Sequence, residues 1–253
     1  MTSKDLDSWF SLILEPELFE DSDPSRNGLQ VDNDGSDITR VAFAVDACQS
    51  TIEKAARAGA GMLVVHHGLY WKEPQCITGI MYNRVKALLD NNIALYASHL
   101  PLDAHPESGN NSGIASLLGL VNIQPFGEWR GATIGYRGEM SRPVALDDIL
   151  PLLFPDGKKP LHVLPFGPNL IRSVGIISGG AADEIEQAIA LSLDLYITGE
   201  IGHETYHVAL ENKINVIAGG HYQTETVGVR LLSKKLGLDT GIDTVFIDVP
   251  TGL

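Results

Sequence analysis

The sequence predicts an α/β protein of two similar α/β domains with mainly parallel sheets and a small, partly antiparallel insertion. Short apolar runs alternate with stretches of helical periodicity in both halves of the chain. That alternation is typical of parallel sheets whose strands are joined by helices. Residues 129–168 interrupt it. We therefore predict one domain at residues 1–128 and 219–253, and a second domain at residues 129–218.

In the first half, apolar positions at helical spacing predict helices, and short aliphatic runs predict strands. The segment Asp21–Gly28 is rich in Asp, Ser, Pro and Asn, and it predicts a loop. The predicted helices are Asp7–Glu15, Gln49–Ala58, Tyr82–Asn91 and Ser112–Leu118, and the predicted strands are Arg40–Asp46, Met62–Val65 and Ile93–Ala97.

The insertion and the second half are predicted in the same way. In the insertion, strands Thr133–Met140 and Leu161–Pro165 enclose a helix, Leu146–Leu153, that ends before Pro155. Regular alternation then resumes. The later strands are Val174–Ile177, Leu195–Thr198, Ile214–Ala218 and Thr244–Val249, and the later helices are Asp183–Leu193, Thr205–Asn212 and Thr226–Leu236.

The two halves of the chain resemble each other in the order of their elements. Corresponding strands are followed by Ser98-His99 in one half and by Gly220-His221 in the other. Two related βαβαβ units explain this pattern. The general self-similarity of α/β proteins explains it equally well, so both explanations stay open.

Composition limits the classes of function. With 253 residues, 44% hydrophobic and 20% charged, the chain has the composition of a globular protein. A net charge of −14 argues against general binding of nucleic acid. We find no apolar run of membrane-spanning length and no signal peptide. Cys48 and Cys76 form no disulfide framework. We therefore expect a cytoplasmic protein without a membrane partner.

Histidines and carboxylates follow three of the predicted strands. In open α/β sheets the carboxyl ends of the strands form the ligand crevice, so these side chains are expected to meet in a crevice between the two domains. Imidazole and carboxylate together bind Zn, Mn, Fe or Ni. The six residues exceed one tetrahedral site and suggest two adjacent ions. They are His66 and His67, His99 and Asp103, and His221 and Glu225.

Each of these residues, taken alone, also has an ordinary structural explanation. Of the adjacent histidines, His66 and His67, one is explained as buried and the other as a surface residue. Asp103 is explained as a turn residue that caps a backbone amide. Glu225, four residues after His221, is explained as an acid favoured by the helix dipole. The metal hypothesis therefore depends on the whole set.

His203, Glu204 and His207 form the His-Glu-x-x-His pattern of zinc proteases. This five-residue pattern occurs by chance, and the apolar strand before it fits a parallel sheet better. We therefore expect Glu200 and His203 to line the crevice near substrate instead. The turn Ser178-Gly179-Gly180-Ala181 lacks a Walker motif; it is interpreted as a tight turn or as an anion site at a helix start.

Five segments of the chain together resemble the Nif-three-like family, whose members are often labelled type 2 homologues of GTP cyclohydrolase I. The resemblance runs in the right order from near Asn27 to the C-terminus. The five segments are Arg26–Val31, Val64–Gly68, Tyr96–Asp103, Thr198–Glu200 and Ala218–Glu225. The chain departs from the family pattern at His203-Glu204, where His-His is common, and it lacks the long inserted domain of some members.

The resemblance implies a dinuclear metal site. It also implies a ring-shaped homo-oligomer, commonly a hexamer, whose sites face an interior cavity. Glu225 is the implied bridge between the two ions. The implied ligands are His66, His67, Asp103, His221 and Glu225.

The favoured function is metal-dependent hydrolysis of a small molecule, with His99, Glu200 or His203 transferring protons near neutral pH. Two divalent ions are the expected cofactors, and Zn, Fe, Mn and Ni all fit. The alternatives are a metal chaperone or storage protein without turnover, and an interaction scaffold stabilised by metal.

Overall fold

The computed structural model describes residues 1–73 and 75–253 and confirms the predicted α/β class. Its chain divides into two compact units. One unit comprises Met1–Leu102 and Gly228–Val249, and the other comprises Asp103–Val227 and Pro250–Leu253. The sequence predicted other boundaries, with one domain at residues 1–128 and 219–253 and the other at residues 129–218. A compact unit is not necessarily a folding domain, so these boundaries stay a prediction.

The first unit contains a five-stranded sheet with the strand order β1-β4-β3-β2-β11. Only the β1–β4 pair is antiparallel, whereas the other three pairs are parallel. The strands are β1 (Gly28–Val31), β2 (Arg40–Asp46), β3 (Met62–His67), β4 (Ala94–Ala97) and β11 (Asp243–Phe246). The helices are α1 (Ser3–Leu14), a 3-10 turn (Pro16–Phe19), α2 (Gln49–Arg57) and α3 (Gly79–Asp90).

The central strands of this sheet are buried along nearly their whole length. In β2 the five residues Val41–Val45 are all buried, and β3 is buried from Met62 to His66. Such strands have no alternation of apolar and polar residues because both faces of a parallel sheet are covered. The continuous apolar runs in the sequence therefore predicted these strands correctly.

The second unit contains a six-stranded sheet with the order β5-β6-β8-β9-β10-β7. Its parallel centre, β8-β9-β10, is flanked by antiparallel neighbours. The strands are β5 (Leu120–Trp129), β6 (Ala132–Ala145), β7 (His162–Pro165), β8 (Leu170–Ile176), β9 (Leu195–Thr198) and β10 (Asn215–Ala218). The helices are α5 (Asn110–Leu117), α6 (Leu146–Leu153), α7 (Ile185–Ala190) and α8 (Thr205–Asn212).

The antiparallel insertion extends the second sheet. Its strands β6 and β7 pair with β8 and β10, so they enlarge the sheet that carries the parallel centre. Helix α6 has the bounds predicted from the sequence. Strand β5 was not predicted, because most of its residues are exposed and form no apolar run.

Two further helices lie where the chain passes from one unit to the other. Helix α4 spans Leu100–Ala104, and α9 spans His221–Thr240. Helix α9 begins at His221, five residues before its predicted start at Thr226. In the described part of the chain, no helix is both long and apolar enough to cross a membrane.

We expect Leu63→Ala to destabilise the protein by about 2–5 kcal/mol, because Leu63 is fully buried in β3 and its truncation leaves a cavity. The matched control is Leu12→Ala, since the Leu12 side chain is 81% exposed. The control should stay within about 0.5 kcal/mol of wild type. Urea denaturation measures the free energy of unfolding of both variants, and equal losses of stability would contradict the assigned core.

Candidate metal centre

His66 and His67 end strand β3 in the first unit. His66 is fully buried, whereas His67 is partly exposed. Gly68 follows them, and a Cβ atom there would lie 2.4 Å from the Gln30 side chain and 2.6 Å from Ala97. A Cβ atom would clash there, so glycine is the residue that fits this close approach directly after the two imidazoles.

The tautomer of His66 follows from one hydrogen bond. Its Nδ1 lies 3.0 Å from the backbone oxygen of Ser98, which can only accept a hydrogen bond. Nδ1 therefore carries the proton, and in the neutral ring Nε2 presents its lone pair. A metal-binding histidine commonly has this arrangement, with its second nitrogen held by an oxygen atom.

His67 and His99 repeat the arrangement with carboxylates. Nδ1 of His67 lies 2.9 Å from Oδ1 of Asp46, whose strand position pairs with His67 across the β2–β3 ladder. Nδ1 of His99 lies 2.8 Å from Oδ1 of Asp23. Each carboxylate oxygen accepts a hydrogen bond from Nδ1–H, so the lone pair of the neutral ring lies on Nε2.

The three imidazoles form one cluster within the first unit. The ring centroid of His66 lies 4.7 Å from that of His67 and 5.0 Å from that of His99. One ligand atom of each residue lies within 4.8 Å of the corresponding atoms of the other two. Three imidazoles at this spacing are a suitable partial ligand set for a divalent transition metal.

Asp23, beside this cluster, accepts hydrogen bonds at both of its carboxylate oxygens. Its Oδ1 accepts from the Ser25 backbone as well as from His99, and its Oδ2 accepts from the Asn27 amide and the Leu100 backbone. Burial by itself would raise the pKa of Asp23. The hydrogen bonds that it accepts, that from His99 first among them, outweigh burial and hold the pKa below its usual value.

His221 and Glu225 lie one turn apart at the start of α9. Nε2 of His221 is 3.1 Å from Oε1 of Glu225, and the Glu225 side chain is only 3% exposed. Two ligand atoms that share one ion, each about 2.0–2.2 Å from it, lie roughly 3–3.5 Å apart. This pair therefore fits a shared divalent ion.

Glu200, after strand β9, contacts the other nitrogen of the same ring. Its Oε1 lies 2.5 Å from Nδ1 of His221. Burial by itself lowers the pKa of His221, but the hydrogen bonds and charges of Glu225 and Glu200 outweigh it and raise the pKa to about 9. Without metal, the imidazole is therefore protonated at neutral pH between two carboxylates.

Asp103 lies in the second unit and is 6% exposed. Its Oδ1 accepts hydrogen bonds from the Asn110 amide at 2.8 Å and from the Ser178 hydroxyl at 3.0 Å. The Asp103 backbone oxygen also accepts from the Asn111 amide. These contacts fix the direction of the carboxylate, and a preorganised ligand needs such support.

The His-Glu-x-x-His pattern is not contained in one helix. Helix α8 begins at Thr205, so His203 precedes it while His207 lies within it. Both histidines are exposed, with ring centroids 6.2 Å apart. Within residues 1–73 and 75–253, neither belongs to a group of three ligand-type side chains. His105 caps a turn by accepting from the backbone of Glu107 and Ser108.

The sequence reasoning missed Asp23 and Asp46. Asp46 was recognisable, because it ends a predicted parallel strand next to the one that ends at His67. Asp23 gave no such signal. It lies in a segment predicted as a loop and meets His99, which is 76 residues further along the chain.

Comparison with known proteins identifies the family. The model of the family described as Duf34/NIF3 (NGG1p interacting factor 3) matches residues 1–252 of this chain. The chain belongs to the Duf34/NIF3 family. The resemblance inferred from five sequence segments is therefore confirmed.

Curated relatives of this Duf34/NIF3 protein support the assignment over the full length. A Treponema pallidum (strain Nichols) protein named GTP cyclohydrolase 1 type 2 homolog is 47% identical, and the alignment covers 100% of both chains. A Pyrococcus abyssi (strain GE5 / Orsay) protein of the same name is 43% identical, covering 98% of this chain and 96% of the relative.

A solved structure shares the fold. The crystal structure of TTHA1606 from Thermus thermophilus matches with a TM-score of 0.91 and 36% sequence identity, covering 100% of both chains. The α/β fold class of this protein is therefore the one found in similar solved structures. Its histidine and glutamate groups are able to hold a metal ion.

The raised pKa of His221 predicts how the stability of chelator-treated protein depends on pH. The pKa rises from 6.5 to about 9 on folding, so the interaction stabilises the fold fully below pH 6.5 and is lost as the pH rises through about 9. Urea denaturation across this window should show a falling free energy of unfolding. His221→Gln should flatten that part of the profile, and an unchanged slope would contradict the prediction.

Proposed function

We propose that this protein binds two divalent metal ions and uses them to hydrolyse a small molecule. The proposed ligands are His66, His67, Asp103, His221 and Glu225, with Glu225 as the bridge. The proposal rests mainly on the histidine cluster of the first unit. In each of its three imidazoles Nδ1 faces an oxygen atom, which leaves Nε2 as the proposed metal-binding atom of His66 and His67 and as the proton-transfer atom of His99.

The donor set fits borderline divalent ions. Imidazole nitrogen and carboxylate oxygen suit Zn, Mn, Fe and Ni, and availability selects among them. Two such ions, when bound, act as Lewis acids and activate water at neutral pH. The number of ions and their identity belong to the proposal, as does hydrolysis itself.

The remaining polar residues have proposed roles in proton transfer. Nδ1–H of His99 is donated to Asp23, so His99 would take up and release a proton at Nε2. Glu200 accepts from Nδ1 of His221 and so fixes the orientation of that ring. His203 is exposed before α8, where it would exchange protons with solvent.

A metal chaperone or storage function is the second candidate. It needs ligands that solvent or a partner can reach, and the His221 side chain is 31% exposed. The same ligands serve both functions, so only turnover separates them. The homohexamer and the cytoplasmic location expected from the sequence are likewise proposals.

Turnover is tested by loading the purified protein with Zn²⁺, Mn²⁺, Fe²⁺ or Ni²⁺ in turn. Each form is screened against nucleotides and phosphoesters, with the chelator-treated protein as the control. Hydrolysis that depends on the added ion supports the hydrolase. Tight metal binding without turnover on any substrate favours the chaperone or storage function instead.

We expect two ions per chain in protein purified without chelator, because the ligands outnumber the positions around one tetrahedral ion. Glu225→Gln should weaken the binding of both ions if the carboxylate bridges them. If Glu225 is only a helix-dipole acid, the variant should lose at most about 1 kcal/mol of stability and keep its metal. Elemental analysis and melting temperature separate these results, and one ion per chain at saturation refutes the two-ion proposal.

We expect His66→Ala to reduce metal binding and His207→Ala to leave it unchanged. His66 is buried in the histidine cluster, whereas His207 is exposed on α8. Both substitutions remove one imidazole, so each serves as a control for the other. Calorimetric titration with Zn²⁺ measures the affinity, and the reverse pattern would overturn the whole site assignment.

A further inference from the structure

The turn Ser178–Gly179 follows strand β8 and is buried in the second unit. The sequence left it open whether this segment binds an anion or forms a tight turn. Its contacts indicate a third role, because the turn lies against residues that are proposed as metal ligands.

Ser178 supports Asp103. The Ser178 hydroxyl donates to Oδ1 of Asp103 at 3.0 Å, and the Ser178 backbone N–H donates to the Asn111 side chain at 2.7 Å. Asn111 in turn donates to the backbone oxygen of Asp103. Ser178 therefore holds the carboxylate of Asp103 directly and is linked to its backbone through Asn111.

Gly179 joins two other segments of the same unit. Its backbone N–H donates to the Thr224 hydroxyl at 3.1 Å, next to Glu225 in α9. Its oxygen accepts from the backbone N–H groups of Gly199 at 2.9 Å and Glu200 at 3.1 Å. The turn thus fixes the start of α9 relative to the segment that carries Glu200.

Gly179 also makes room for Glu225. It has a φ of +68°, and a Cβ atom there would lie 2.3 Å from Oε1 of Glu225 and 3.4 Å from Nε2 of His221. The obstructed atom is the end of a flexible side chain, so the carboxylate would move before the backbone did. Glu225 is buried, which leaves it little space for another position.

We propose that the Ser178–Gly179 turn positions the two carboxylates, Asp103 and Glu225, for metal binding. Ser178 positions Asp103 by a hydrogen bond, and Gly179 positions Glu225 by leaving space where a side chain would displace its carboxylate. Both are positioning residues, since neither is proposed to touch the ions. The proposal rests on the proposed metal-binding function and specifies how the fold supports it.

The test compares Gly179→Ala with Gly59→Ala. Gly59 has a φ of +70°, and no atom lies within 4 Å of a Cβ built there. Both variants therefore carry the same left-handed backbone strain, but only Gly179→Ala displaces Glu225. A loss of metal affinity confined to Gly179→Ala therefore cannot come from a left-handed alanine as such.

We expect Gly179→Ala to bind Zn²⁺ about 10–100-fold more weakly than wild type, the usual effect of losing support around a ligand. Gly59→Ala should bind Zn²⁺ like wild type. Ser178→Ala, which keeps the glycine, should weaken binding through Asp103. Competition with a chromophoric chelator measures all three affinities, and wild-type affinity in both turn variants would overturn the proposal.

A second measurement separates this proposal from the proposed function. In metal-free protein, the imidazole ¹⁵N signals of His221 report its hydrogen bond to Glu225. They should shift in Gly179→Ala and stay unchanged in Gly59→Ala. If the wild-type protein binds no ion, the proposed metal-binding function is refuted. The His221 signals still test the positioning of Glu225 in that case. A shift in Gly179→Ala supports the positioning role, and unchanged signals overturn it.

Discussion

Hydrogen bonds that fix imidazole rings are the interactions on which the candidate metal centre depends. A neutral histidine binds metal only through the nitrogen without a proton, and the partner of the other nitrogen decides which one that is. His66, His67 and His99 each donate Nδ1–H to an oxygen atom of the same unit. The fold thus decides which nitrogen of each neutral ring carries the proton and which carries the lone pair.

The geometry of the parallel sheet supplies one of these partners. Residues at the ends of neighbouring parallel strands lie side by side, which places Asp46 next to His67. In the second unit, the segments after β8 and β9 meet the start of α9, where Glu200 contacts His221 and the Gly179 backbone N–H donates to Thr224. Burial of the sheets and placement of the polar strand ends therefore arise from the same architecture.

Charge is balanced differently in the two units. In the first unit, Asp23 stays ionised although it is buried, because it accepts four hydrogen bonds. In the second unit, two carboxylates flank His221 and raise its pKa to about 9. A divalent ion beside Glu225 would take over the positive charge that the His221 proton supplies. Without metal, that proton offsets the charge of the two carboxylates that lie so close to the ring.

The sequence by itself determined the α/β class, the buried parallel strands and the residue types at the strand ends, because burial on both faces demands continuous apolar runs. It did not reveal strand β5, whose residues are mostly exposed. Only the tertiary structure decided that Asp23 holds His99, or that Gly179 leaves space for Glu225. Each of these pairs consists of residues far apart along the chain. Folding brings them together, and no local sequence pattern predicts the distance between them.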